Sequence, residues 1–269
     1  DVTDNLTFLN DGAHFVWTSE KSGYNHIYLY NLKGKQVRKI TKGSYDVTDF
    51  YGIDETTNTV YFASAERSAM QRDVYAVQLN GKKKRVLTNK TGTNAATFST
   101  SYQYFINEHS NANTPYFFSL FDAQGNEVRT LKDNADLNKT LSEYALSKKE
   151  FFDFTTTEGV NLNGWMMKPH DFDATKEYPV FMYLYGGPGS QQVTDAWGGS
   201  NFLWFQMLSQ QGYIVACVDN RGTGARGADF KKCTYQQLGK LETVDQIEAN
   251  RYLASLPYID GARIGIFGW

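Results

Sequence analysis

Cysteine is scarce. Only Cys217 and Cys233 stand among 269 residues, too few for a disulfide framework and without the C-x-x-C spacing of a structural zinc site. Cys217 falls in the apolar run Tyr213–Val218 and reads as a small core residue. No apolar run reaches membrane-spanning length, so no membrane span is predicted in this segment. The first residues, DVTDNLTFLNDG, lack the basic start and apolar stretch of a secretory signal. A charge excess is missing too. With 27 Lys+Arg against 29 Asp+Glu, the chain lacks the basic surface that phosphate neutralisation needs, which argues against nucleic acid as the main partner. What is abundant is aromatic: 18 Tyr and 18 Phe bring the aromatic share to 15%, a leaning towards β structure. The length admits one large domain or two ordinary ones. Three N-x-[ST] matches, at Asn5, Asn89 and Asn138, are what chance gives among 19 Asn and carry no information on compartment.

The first half repeats itself. Segments 14–43, 60–92 and 102–134 each hold an aromatic strand, a polar turn, a second aromatic strand, a Gly turn and a basic-apolar strand. The third strands align at Ile40, Leu87 and Leu131, with offsets of 47 and 44 residues. A period of about 40–50 residues built from short antiparallel strands is the pattern of propeller blades, with a sandwich of hairpins as the plainer alternative. Three blades are fewer than the roughly four to eight that close a propeller, so the chain reads as cut on its N-terminal side. The basic run Lys82–Arg85 occupies a repeat turn and reads as a solvated hairpin.

From about residue 148 the pattern changes. Phe151–Thr157 and Asn161–Lys168 read as a hairpin around Glu158-Gly159, and Tyr178–Tyr185, Tyr213–Asp219 and Arg263–Gly268 as buried strands. Asn201–Gln211 and Glu242–Leu256 have helical spacing. The second carries Ala249, Tyr252, Leu253 and Leu256 on one stripe, with Thr243 and Gln246 fitting a capping box. Apolar strands alternating with helices predict a mostly parallel sheet with helices on both faces.

Three loops at strand ends carry the chemistry: Tyr185-Gly186-Gly187-Pro188-Gly189-Ser190, Asp219-Asn220-Arg221-Gly222-Thr223-Gly224, and the closing Gly265-Ile266-Phe267-Gly268-Trp269. A buried strand ending in Gly-x is how a G-x-S-x-G nucleophile elbow begins, and the chain stops one residue short of where Ser would stand. Gly222, Gly224 and Gly227 with Glu242 mimic a dinucleotide fingerprint. The residues that follow, ADFKKCTYQQLG, have no apolar stripe for the packed helix that motif requires. No cofactor and no metal are predicted.

These features together resemble the prolyl oligopeptidase family, and within it the dipeptidyl peptidase IV branch. The carriers are ITKGSYDV (40–47), YPVFMYLYGGPGSQ (178–191), DNRGTGARG (219–227), LGKLETVDQIEANRYL (238–253) and RIGIFGW (263–269). The resemblance implies a partial, antiparallel β-propeller over residues 1–147. It implies the N-terminal half of an α/β-hydrolase domain over 148–269, ending just before the nucleophile. The implied activity is that of a serine exopeptidase of dipeptidyl peptidase type, releasing short N-terminal peptides after Pro or Ala from peptide substrates, with tripeptidyl release left open. A catalytically dead relative acting as an interaction scaffold, or an acylaminoacyl or oligopeptidase, are the alternatives. The residue after Trp269 separates the first of these.

Carried over by motif, Tyr185 matches the tyrosine whose hydroxyl forms part of the oxyanion hole, and a phenol is a protonated donor at neutral pH. Trp269 matches the residue before the nucleophile, with a packing role. Gly186, Gly187 and Arg221 belong to the site loops, where Arg221 reads as a brace rather than a substrate clamp. The Ser, Asp and His of the triad lie outside this chain. Asp219 comes too early in the order Ser, Asp, His, and the same order excludes His14, His26, His109 and His170. The resemblance further implies a homodimer and a periplasmic, cell-envelope or secreted location. Residues 1–269 alone are expected to be inactive and prone to aggregate.

Overall fold

The computed structural model describes residues 5–199 and 201–268. They divide into two compact units. One runs to Asn134 and includes Ala225–Asp229; the other holds 135–224 and 230–269.

The first unit is built from three four-stranded antiparallel sheets. The first joins β1 (Thr7–Phe8), β2 (His14–Ser19), β3 (His26–Asn31) and β4 (Gln36–Lys39). The second joins β5 (Val47–Asp54), β6 (Thr59–Ser64), β7 (Asp73–Gln78) and β8 (Arg85–Val86). The third joins β9 (Thr93–Phe98), β10 (Tyr104–Asn111), β11 (Thr114–Asp122) and β12 (Glu127–Lys132). In each, strand order follows the chain, because a short turn can connect only antiparallel neighbours.

The repeat is visible atom by atom. The turns at Gly34, Gly81 and Gly125 close alike, each glycine donating its N–H three residues back, to Asn31 O, Gln78 O and Asp122 O. Their φ angles of +76°, +77° and +91° lie in the left-handed region that suits glycine. At the other end, Thr41 Oγ1 accepts the Ile27 N–H at 2.9 Å, and Thr88 Oγ1 accepts the Val74 N–H at 3.0 Å. These bonds repeat at the 47-residue offset read from the sequence.

Alternation along the strands decides how the sheets pack. Val60 and Phe62 of β6, with Tyr75 and Val77 of β7, join a cluster with Val16, Ile27 and Leu29 of the first sheet. The intervening Tyr61, Val74 and Ala76 face Phe105 and Phe121 of the third. The middle sheet is therefore covered on both faces, and every residue of β6 is buried. The last strand is the opposite case: every residue of β12 is exposed.

The second unit begins with α1 (Ala135–Ser142), followed by β13 (Lys149–Thr155), β14 (Asn161–Met167) and β15 (Tyr178–Leu184). Then come α2 (Phe202–Gln210), β16 (Ile214–Val218), α3 (Ala228–Lys232, whose first two residues count with the first unit), α4 (Lys240–Ala254) and β17 (Ile259–Gly268). The five strands form one sheet in the order β13-β14-β16-β15-β17.

This sheet is mixed where the sequence predicts a mostly parallel one. β16, β15 and β17 run parallel, but the β13–β14 hairpin enters the sheet with β14 antiparallel to β16. A tight hairpin reverses direction, so its two strands cannot both join a parallel set.

Helices cover both faces. Val180 and Met182 of β15 pack with Ala249 and Leu253 of α4. Phe181 and Tyr183, on the opposite side of the pleat, meet Trp204 and Phe205 of α2 at ring separations of 5.2 and 5.1 Å. Cys217 is buried in the sheet, and burial pushes its thiol pKa up.

The capping box is not formed. Gly239, with φ +84°, is the N-cap of α4, so Thr243 and Gln246 lie inside the helix. Thr243 Oγ1 donates to the Gly239 carbonyl instead, and the Gln246 amide is used elsewhere. Among the described residues no helix is long and apolar enough to cross a membrane.

Candidate active site

β15 ends where its apolar run meets Gly186, and Tyr185 is the first residue beyond the strand. Parallel pairing sets Tyr183 opposite Phe267 and Leu184 opposite Gly268. Neighbouring strands lie about 4.8 Å apart, so Tyr185 emerges immediately beside the end of β17. Tyr185 is 43% exposed. Trp269 itself lies outside the described residues.

Behind Tyr185 the chain turns sharply. Gly186 has φ +66°, and a Cβ there would stand 2.5 Å from Asn220 Oδ1. At Gly187 a Cβ would stand 2.9 Å from Cε1 of the Tyr185 ring. Both positions are glycine because neighbouring side chains already fill the space.

The loop 219–224 holds this turn in place. The Gly189 N–H donates to Gly222 O, and the Gly224 N–H to Ser190 O, both at 2.8 Å. Asp219 accepts the backbone N–H of Gln192 and of Val193, the latter at 2.9 Å. Asn220, fully buried, donates from Nδ2 to Gly186 O at 3.1 Å.

Arg221 is tied rather than free. Its backbone N–H donates to Asp245 Oδ2 at 2.7 Å, its Nη2 to Asp245 Oδ1 at 2.7 Å, and its Nη1 pairs with Glu158 at 2.7 Å. The hydrogen bond to the Asp245 carboxylate pushes the guanidinium pKa above its ordinary value, against desolvation. Asp245 is completely buried.

A hollow of about 590 Å³ opens beside Tyr185, walled by Met182, Leu184, Ile264 and Ile266 of the sheet and Ile247 of α4. None of the four histidines borders it. Among the described residues no group of three or more His, Cys, Asp or Glu is placed to hold a metal ion.

Sequence reasoning missed Asp245, named Asn220 only as part of its loop, and gave Gln246 a capping role that the structure does not form. A signal for Asp245 existed: with Ala249 and Leu253 it sits at i, i+4, i+8 of the same helical stripe. A carboxylate on a buried stripe requires a buried donor.

Comparison with known proteins decides the family. Residues 1–116 match the family model of the dipeptidyl peptidase IV (DPP IV) N-terminal region, and residues 200–269 that of the prolyl oligopeptidase family. The fold superposes on the crystal structure of Porphyromonas gingivalis dipeptidyl peptidase 4 with a TM-score of 0.93 and 48% identity, over 98% of this chain and 37% of that one. The chain belongs to the prolyl oligopeptidase family.

Among curated relatives, a "Probable dipeptidyl peptidase 4" of Aspergillus flavus is 34% identical over 260 residues, 96% of this chain. The dipeptidyl peptidase 4 of Trichophyton equinum is 33% identical over 266 residues, 97% of this chain. The chain spans about a third, 34%, of the length of these relatives.

Proposed function

We propose that this chain is part of a serine exopeptidase of the dipeptidyl peptidase type, which removes dipeptides from the free amino terminus of peptide substrates after Pro or Ala. In this reading residues 1–147 are blades of a β-propeller and 148–269 the N-terminal half of an α/β-hydrolase domain. Three sequential antiparallel sheets and a sheet covered by helices on both faces support it.

The observation that carries the proposal is the β15–β17 register. It sets Tyr185 beside the end of the strand that, in an α/β-hydrolase, leads into the nucleophile. A serine supplied from beyond this chain attacks the scissile carbonyl, and a histidine takes its proton. The tetrahedral oxyanion then accepts hydrogen bonds from the Tyr185 phenol and from a backbone N–H. A donor aimed at charge that appears only in the transition state lowers the barrier without tightening the ground state. Arg221, tied to two carboxylates, braces the neighbouring loop. Homodimer formation rests on the family resemblance alone and is read by sedimentation.

The test is Tyr185→Phe in the full-length protein, assayed on a chromogenic Xaa-Pro amide with a free or a blocked amino terminus. Loss of one oxyanion donor lowers kcat by about 10²–10³, with the circular dichroism spectrum unchanged. Near-normal turnover removes Tyr185 from the mechanism. Equal cleavage of the blocked substrate replaces exopeptidase with oligopeptidase action.

A further inference from the structure

Tyr185 reaches its site through a single turn, and the carbonyl of that turn is held by one buried side chain. Asn220 Nδ2 donates to Gly186 O at 3.1 Å and to Arg221 O at 2.6 Å. Asn220 Oδ1 accepts from Gln246 Nε2 at 3.1 Å, and the same Nε2 donates to Val218 O at 3.0 Å.

The directions of these bonds are not interchangeable. Carbonyl oxygens accept only, so the Val218 carbonyl fixes which end of Gln246 faces the sheet. That end, a donor, then requires an acceptor from Asn220 on one side, leaving a donor for Gly186 and Arg221 on the other. A side chain of this size with both roles is asparagine: aspartate would set oxygen against two carbonyls, and leucine would remove all three bonds. The adjacent helix residue, Asp245, fixes Arg221 in the same way. Two consecutive residues of α4 thus position two consecutive residues of the 219–224 loop. Only Asn220 passes the constraint on to the Tyr185–Gly186 turn.

We infer that Asn220, held by Gln246, is a positioning residue for the Tyr185 phenol. The inference rests on the oxyanion role proposed for Tyr185. Gly186 is in the left-handed region and carries no side chain to anchor it, so the bond to its carbonyl is what resists rotation of the peptide beyond Tyr185. When that bond is lost the phenol keeps its chemistry but loses its aim.

The experiment is a double-mutant cycle in the full-length enzyme, with kcat and KM measured on the free-amino Xaa-Pro amide. Asn220→Ala lowers kcat by about tenfold to a hundredfold, as a misplacement on the ångström scale does, and leaves KM nearly unchanged. In a Tyr185→Phe background the same substitution has almost no further effect on kcat, because the group it positions is gone.

An Asn220→Ala loss of equal size in both backgrounds overturns the inference, since it marks a general structural role. So does an Asn220→Ala enzyme of normal kcat. Should Tyr185→Phe itself be without effect, the inference falls together with the oxyanion reading; a large Tyr185→Phe loss with an additive Asn220→Ala loss defeats the inference alone. If Asn220→Ala does not fold, Gln246→Leu releases Asn220 Oδ1 and is put through the same cycle, with the same coupling expected and the same additivity counting against it.

Discussion

Asp245 offers the sharpest quantitative test of how the second unit holds its site loops. Its carboxylate is fully buried and accepts the Arg221 backbone N–H, Nε and Nη2, at distances between 2.7 and 3.1 Å. Asp245→Asn keeps the shape and removes the charge. Arg221, only 13% exposed, would then retain Glu158 alone, which is itself 51% exposed. Removing one partner from a buried pair costs about 3–5 kcal/mol, because the charge left behind is unpaired and poorly solvated. The surviving Glu158 contact places this case near the lower end, about 3 kcal/mol. That corresponds to a fall in Tm of roughly 6–12 °C for a domain of ordinary size. The matched control is Glu158→Gln, which removes the exposed partner and costs at most about 1 kcal/mol. Urea titration followed by tryptophan fluorescence reads both variants in the full-length protein. If the two substitutions cost the same, or Asp245→Asn costs under about 1 kcal/mol, burial is not what gives this pair its weight.

Gly186→Ala forces a Cβ into the left-handed region and to within 2.5 Å of Asn220 Oδ1. Gly159→Ala, at φ +78° with nothing within 4 Å, meets only the backbone cost of about 1–2 kcal/mol. A urea midpoint lower for Gly186→Ala than for Gly159→Ala, with kcat reduced only in the former, is the expected result. The buried His26 ring donates from Nε2 to Gly43 O and is hydrogen-bonded through Nδ1 to Thr41 Oγ1, both at 3.0 Å, and burial lowers its pKa below the ordinary histidine value. Between the two pKa values the unfolded chain binds the extra proton, so stability rises with pH in that window and levels off above it. The melting temperature of the first unit should therefore fall as pH drops below about 6.5, ahead of the carboxylate titrations near pH 4, and His26→Gln should flatten that slope. An unchanged slope in the variant assigns the effect to another group.

Much of the first unit was legible because its information is local. Gly34, Gly81 and Gly125 recur at fixed offsets, and each marks a turn that can be read within four residues. The strands of the second unit were legible for the same reason: β15 and β16 are short apolar runs ended by loop residues. Tyr185 was singled out by the family resemblance, since its residues alone read equally well as a strand-end cap. The start of α4 was misplaced because Thr243 and Gln246 satisfy a local rule for a helix end, while Gly239 and the long-range demands of Val218 and Asn220 satisfied a stronger one.

The sequence by itself determined which residues turn, which alternate, and which faces are apolar, since these follow from periods of two and 3.6 residues along one chain. It also carried the motifs on which the family resemblance rests. Tertiary structure alone decided that β14 lies antiparallel beside β16, that Leu184 pairs with Gly268, and that Asp245 and Gln246 reach back to Arg221 and Asn220. Periodicity assigns a side chain to a face but not to a neighbour. Partners some 24 to 26 residues apart are chosen only when a buried donor and a buried acceptor must find each other or remain unpaired.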